Sequence, residues 1–253
     1  MMSAMTAARI AARRLALAGL VVFALIAGCA SFSGDWRSAS HEPMGTAPDP
    51  VLAREAVVQV YAARTFGWRG VFGVHTWVAA KPADAAAYTV YEVIGWRLRS
   101  RNSVVAIHTR APDARWYGAE PELLAERRGD AAGALLQRID AAARSYPWAH
   151  EYSAWPGPNS NTFVAWVTRA VPELQVDLPP TAIGKDYNRQ VFDSAPSGGG
   201  FQASAAGLLA LTASSVEGME LNLLGLTFGL NPFDPALKLP LIGRIGARRT
   251  LAP

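Results

Sequence analysis

Hydrophobic and polar positions divide the 253-residue chain into stretches of different period. Leu15 to Ala27 is an almost unbroken apolar run, preceded by Arg9, Arg13 and Arg14 and closed by Gly28-Cys29. Its roughly dozen residues fall short of the ~20 that a membrane-spanning helix needs. A basic start, a short apolar centre and small residues before a cut describe a secretory signal, so residues 1–28 are expected to be processed away rather than folded. Ala30 to Pro50 is rich in Ser, Gly, Pro and charge and reads as a tether, placing the globular part at 51–253. Short stretches rich in β-branched and aromatic residues follow at 54–62, 74–80, 88–98 and 104–109, with Lys81-Pro82-Ala83-Asp84 as turn chemistry between two of them. Strands in such a series predict an antiparallel meander.

The period then lengthens. Pro121 to Arg128 and Asp130 to Arg144 carry alanines and leucines at helical spacing, with Leu135, Leu136, Ile139 and Ala142 or Ala143 on one face, and Pro147 ends the second helix. A loop, Trp155-Pro156-Gly157-Pro158-Asn159-Ser160-Asn161, leads into a short helix from Thr162 to Val171, closed by Pro172. Ala203 to Leu230 is the most apolar part of the processed chain, but Glu217 and Glu220 in its middle exclude a membrane span. Two strands joined across Glu217-Gly218, at the centre of the sheet, fit better. Strands, helices and strands in that order predict a single α+β domain with an antiparallel sheet.

Charge narrows the function classes. The chain carries +4, and residues 1–28 hold three arginines and no acid, so the processed form stands near +1. That lacks the basic footprint of a nucleic-acid binder, and none is expected as a partner. The single cysteine, Cys29, allows no intramolecular disulfide, no Cys/His zinc pattern and no thiol chemistry in the folded part. No cofactor or metal is expected.

Leu25-Ile26-Ala27-Gly28-Cys29 resembles the lipobox of bacterial lipoproteins. The resemblance implies a diacylglycerol on the Cys29 sulfur, a cut before that residue and acylation of the new amine. Membrane attachment then comes from the lipid, at roughly 0.8 kcal/mol per buried methylene. Ala30 rather than Asp after the cysteine implies, by the same resemblance, the outer membrane facing the periplasm.

Four further segments resemble a bacterial envelope family catalogued as a domain of unknown function: Val74-His75-Thr76-Trp77-Val78, Tyr91 to Arg97, Trp155 to Phe163 and Pro179 to Tyr187. The resemblance extends from about Val57 to Gly246. A more distant likeness is to circularly permuted papain-like hydrolases of the cell-wall amidase and peptidase type. In those, a histidine on an early strand precedes a cysteine nucleophile in Asn-Cys-Asn-x-Phe. Here His75 takes the histidine position and Asn159-Ser160-Asn161-Thr162-Phe163 the nucleophile position, with serine replacing cysteine.

If 74–80 and 88–97 form a hairpin turning near Asp84, His75 lies opposite Ile94 with Glu92 diagonal on the same face, within reach of the imidazole. Glu92 would then orient His75, His75 would act as base and Ser160 as nucleophile, with helix N-terminal amides for an oxyanion. Against this, a helix N-terminus activates a thiol by lowering its pKa, whereas a hydroxyl stays a poor nucleophile without a base. Asn, Ser and Asn are also favoured helix caps. Two readings stand: a non-catalytic lipoprotein that binds or assembles an envelope component such as peptidoglycan, and a serine hydrolase of amide or ester bonds.

The remaining candidates have plainer readings. His41, His108 and His150 are expected in tether, surface or capping roles, and Gly198-Gly199-Gly200 as a turn. Lys185-Asp186 is expected as a loop ion pair. Lys238, Arg244, Arg248 and Arg249 are expected in a solvated tail. Of eight tryptophans, Trp68, Trp77, Trp96 and Trp155 flank the candidate site, as core filling or as stacking faces for sugars.

Overall fold

The computed structural model describes residues 35–246; the expected signal, Cys29, Arg248 and Arg249 lie outside them. The architecture is a single α+β domain, as the pattern predicts, but with two antiparallel sheets rather than one. The first is five-stranded in the order β4-β3-β2-β1-β5. Its strands are β1 (Val57–Arg64), β2 (Val74–Lys81), β3 (Thr89–Val93), β4 (Val105–Thr109) and β5 (Glu122–Arg128). Helix α1 (Arg69–Phe72) lies between β1 and β2, while α2 (Gly129–Gly133), α3 (Leu136–Arg144) and α4 (Ser160–Ala170) follow β5.

Both faces of the first sheet are covered, which is why β1 and β2 are buried along nearly their whole length instead of alternating. On one face Val58, Val60, Val78 and Val93 pack against Ile139, Phe163, Val164 and Val167 of α3 and α4. On the other, Val57, Tyr61, Trp77 and Val90 are covered by the irregular segment that carries Trp116. Part of the stretch read as a tether also lies here. Pro43 bridges Ala114, and the Thr46 and Ala47 amides donate to Asp113 Oδ2 at 2.6 and 3.0 Å.

Residues 122–128 form a strand, not the expected helix. Their helical propensity is outweighed by the open edge of β1, which takes them in register from Ala62↔Glu122 to Val57↔Arg128 and satisfies its own amides in doing so. The third expected strand also ends early. After Val93 the chain turns into a 3-10 segment, Gly95–Arg99, and leaves β2.

The second sheet is a seven-stranded meander, β6 (Phe192–Asp193), β7 (Phe201–Ala205), β8 (Leu209–Ser214), β9 (Gly218–Leu223), β10 (Leu226–Asn231), β11 (Ala236–Leu239) and β12 (Gly243–Ile245). Ala203 to Leu230 therefore gives four strands of a separate sheet, not two strands at the centre of the first. The turn at Glu217-Gly218 is where expected, but further reversals fall at Ala206-Gly207 and Leu224-Gly225, and all of these positions except Glu217 have φ between 51° and 87°.

Period-two alternation in this sheet runs with its polar side inward. Gln202, Thr212, Glu220, Asn222, Asn231 and Lys238 are buried. The register aligns the outward positions into apolar rows such as Phe192-Ala203-Leu211-Leu221-Phe228 and Phe201-Ala213-Met219-Leu230-Leu237-Ile245. The inward face is held by ions. Glu220 bonds Lys185 through one oxygen and Lys238 through the other, the latter at 2.6 Å, and Lys238 also reaches Asp177 at 2.5 Å. Asp186 accepts from Gln202 at 2.8 Å and Asn222 at 2.7 Å.

Lys238 is thus fully buried instead of lying in a solvated tail, and Lys185-Asp186 belongs to a buried network instead of a loop pair. Removing two lysines from water is unfavourable unless each meets carboxylates at contact distance, and the fold supplies Glu220 to both. Burial alone would lower Lys185; Asp186 and Glu220 raise it above its ordinary range, so it stays charged. Glu220→Ala leaves both cations without their shared carboxylate and is expected to cost about 3–5 kcal/mol of unfolding free energy, measured by urea denaturation of the purified protein.

Candidate functional site

Strands β2 and β3 pair only from Val78↔Tyr91 to Ala80↔Thr89. Beyond Val78 the edge of β2 is vacated, and its backbone finds other partners. The Val74 amide donates to Thr181 O at 3.1 Å, and the Val74 carbonyl accepts from Asn161 Nδ2 at 3.1 Å. The N-terminus of α4 is seated in that gap. Thr76 Oγ1 lies 3.2 Å from Ser160 O and 3.0 Å from Asn161 Oδ1.

The Asn159-Ser160-Asn161-Thr162 run folds as it does because three of its four side chains are clamps. Asn159 caps the helix: its Oδ1 accepts from the Asn161 and Thr162 amides at 2.9 and 3.2 Å, and its own amide donates to Thr162 Oγ1 at 3.0 Å. Asn159 and Asn161 both donate to Ile183 O, at 3.0 and 2.8 Å, and Thr162 Oγ1 donates to Gly184 O at 2.7 Å. Gly184 (φ 94°) packs so closely on the Asn159 amide that a Cβ there would stand 2.4 Å from Nδ2. Ser160 is buried, and among the hydrogen bonds of the described residues its hydroxyl makes none.

His75 and Glu92 meet as the hairpin geometry predicts. The observed register, continued past Val78, puts Ile94 opposite His75, and His75 Nε2 lies 2.7 Å from Glu92 Oε2. The other carboxylate oxygen accepts from His108 Nε2, also at 2.7 Å, because β3 pairs Glu92 with Ala106 and so makes His108 its diagonal neighbour. Arg110 stands 3.6 Å from the same oxygen, with its guanidinium 4.9 Å from the centre of the Trp77 ring. The His75 ring stacks on Trp116 at 3.6 Å and 7°. His108, Arg110 and Trp116 were not anticipated as members of this cluster. The signal for His108 was its position two residues from Ala106 on a neighbouring strand; Arg110 and Trp116 come from the covering segment, whose path local sequence does not disclose.

The electrostatics assign the protons. Burial pushes His75 below its ordinary value of 6.5, and the bonds to Glu92 only partly offset this. Burial would raise Glu92, but hydrogen bonds from His108 and His75, with Arg110 nearby, hold it below the usual carboxylate range. A neutral imidazole beside an ionised, acceptor-only carboxylate must carry its proton on Nε2.

The three residues expected as a catalytic set are therefore only partly assembled. His75 and Glu92 are joined, whereas no hydrogen bond links Ser160 to His75. The helix meets β2 through Thr76, and neighbours along a strand point to opposite faces, so His75 turns toward Trp116 while Thr76 turns toward α4. The Asn161 and Thr162 amides, which an oxyanion would use, are already taken by Asn159. Among the described residues no group of three His, Cys, Asp or Glu is placed to hold a metal ion, and no helix is long and apolar enough to cross a membrane. A cleft of about 290 Å³ opens elsewhere, among Arg64, Glu122, Thr181 and Arg244.

A helix N-terminus docked into a split antiparallel sheet, with the buried His75-Glu92 pair reaching the exposed His108, defines a one-domain α+β protein with a built polar centre. The chain belongs to the family described as Protein of unknown function (DUF3750), whose model matches residues 55–187. The match covers the first sheet and the whole clamp and stops before the second sheet, short of the extent to Gly246 expected from the motifs. Neither a curated protein nor a solved structure matches the chain.

Two outcomes are expected of this site. Asn159→Ala should cost about 1–2 kcal/mol from the lost cap alone in urea denaturation, whereas Ser160→Ala should stay within about 0.5 kcal/mol of the parent. Stability should also fall with acid. Below pH 6.5 the unfolded chain protonates its histidine before folded His75 does, and below pH 4.5 the same holds for Glu92, so both contributions are present at neutral pH and lost as pH drops. Thermal midpoints should decline from about pH 7 to pH 4, and His75→Gln should flatten the upper part of that decline.

Proposed function

We propose that this is a lipid-anchored protein of the bacterial envelope, tied through acyl chains on Cys29 to the outer membrane facing the periplasm. It works by holding an envelope component, such as peptidoglycan, rather than by cleaving a bond. The observation that carries the non-catalytic reading is the occupation of the helix N-terminus. Asn159, Asn161 and Thr162 are all spent on the clamp to β2 and residues 183–184, and their first-turn amides are spent with them. A serine there lacks a bonded base, and the Asn161 and Thr162 amides beside it are already taken, whereas free oxyanion donors are among the largest contributions to acyl transfer.

One observation favours the second reading, a papain-like serine hydrolase of amide or ester bonds. His75 is oriented by Glu92 at 2.7 Å, next along the chain to Thr76, the strand position that receives the helix, and the Ser160 hydroxyl is uncommitted. Catalytic hydrogen bonds can tighten only when substrate is bound. Fluorophosphonate probes separate the two. The binding reading expects no adduct on the native protein, or one that persists in Ser160→Ala; an adduct lost in Ser160→Ala and in His75→Ala establishes the hydrolase. Intact mass of material from the native host is expected to show added acyl mass at Cys29 and loss of residues 1–28, and a free thiol there removes the anchor.

A further inference from the structure

The outward face of the second sheet has no counterpart on an ordinary soluble domain. Its rows contain Leu, Phe, Met, Ile and Ala and not one hydroxyl, amide or charge, and Leu211, Met219 and Leu230 are each more than half exposed, at 55, 59 and 52%. Seven strands at about 4.8 Å spacing make this slab roughly 30 Å wide, well beyond the scattered apolar residues that a monomer normally shows. The face cannot be hidden by a one-residue slip of register, because that would expose Glu220 and Lys238 and strand Lys185. The ion network beneath the sheet keeps the apolar side out.

We propose that this face is a bilayer-contact surface, seated on the acyl chains of the leaflet that holds Cys29. The inference deepens the lipid-anchor reading and rests on it for the choice of a bilayer as the apolar partner. Composition favours lipid over protein. Protein interfaces carry about one hydrogen bond per 100–200 Å² and are enriched in Tyr, Trp and Arg, whereas acyl chains ask for no polar group, and these rows offer none.

The leash also fits. Thirteen residues separate Cys29 from Pro43, where the chain is bridged to Ala114. Even fully extended they reach about 50 Å, so an acylated Cys29 keeps the face within a domain's width of the membrane. The rim has headgroup chemistry. Trp155 is half exposed and donates through Nε1 to Leu224 O at the β9–β10 turn, and Arg189 stands exposed just before Val191-Phe192. The sheet lies on the leaflet and does not span it. Its strands have at most six residues against the 9–11 a span requires, and the open edges of β6 and β12 must stay near water.

The test is photo-crosslinking of the full-length protein in its native host, with benzoyl-phenylalanine placed singly at Leu211, at Leu221 and, as an exposed control on α3, at Gln137. Phospholipid adducts at 211 and 221 at least tenfold above those at 137 are expected. Adducts to a second copy of the chain, adducts to another protein, or yields equal to the control overturn the proposal. Intact mass at Cys29 in the same samples keeps the two readings apart. Acyl mass without lipid adducts removes the surface and leaves the anchor, while lipid adducts with a free Cys29 thiol remove the anchor and leave the surface.

Discussion

Glu220 is the constraint on which the rest of the structure turns. It sits at the middle of the second sheet, on the inward face, and shares its two oxygens between Lys185 and Lys238. Lys185 belongs to the loop that follows the Gly184 clamp, and Lys238 to a strand near the end of the sheet, so one carboxylate ties the meander to the part of the chain that positions α4. With both cations buried, the sheet has a single admissible orientation, polar side in. Its apolar side is then forced outward whether or not anything covers it.

The same loop serves the candidate site. Residues 181–186 supply an acceptor to Asn159, Asn161 and Thr162, an acceptor for the Val74 amide, and the Lys185-Asp186 pair for the second sheet. Helix N-terminus, split sheet edge and ion network are therefore one mechanical unit. A site built this way is held in one geometry by hydrogen bonds from two sides. Its serine sits in a well-formed cap that the neighbouring side chains complete without its hydroxyl.

Much of the first sheet and of the site was legible in the chain. Strands β1, β2, β3 and β4, the Asp84 turn and the diagonal of His75 with Glu92 follow from β-branched and aromatic content and hairpin arithmetic. A capped helix start within Asn159-Ser160-Asn161 follows from capping chemistry, and the structure selects Asn159 as the cap. Other features were illegible for definite reasons. Glu122 to Arg128 reads as helix because its residues favour one in isolation, and only the vacant edge of β1 makes a strand of them. His108 is exposed, as its surface reading has it, but its bond to Glu92 shows only once β4 is known to lie beside β3. Lys238 reads as a solvated charge because nothing near it in sequence carries its counterions, which come from Asp177 and Glu220.

By itself the sequence determined the α+β class, the apolar run before Cys29, four strands of the first sheet and a capped helix following Trp155 to Asn161. These depend on residues a few positions apart, where periodicity and side-chain-to-backbone bonds decide the outcome. Tertiary structure alone decided that there are two sheets, that the second faces its leucines outward, and that Ser160 meets β2 on the side away from His75. An alternating strand states that one face differs from the other. Which face goes inside depends on where distant partners lie, and here lysines and carboxylates far apart in the chain meet in the interior while the leucines stay outside.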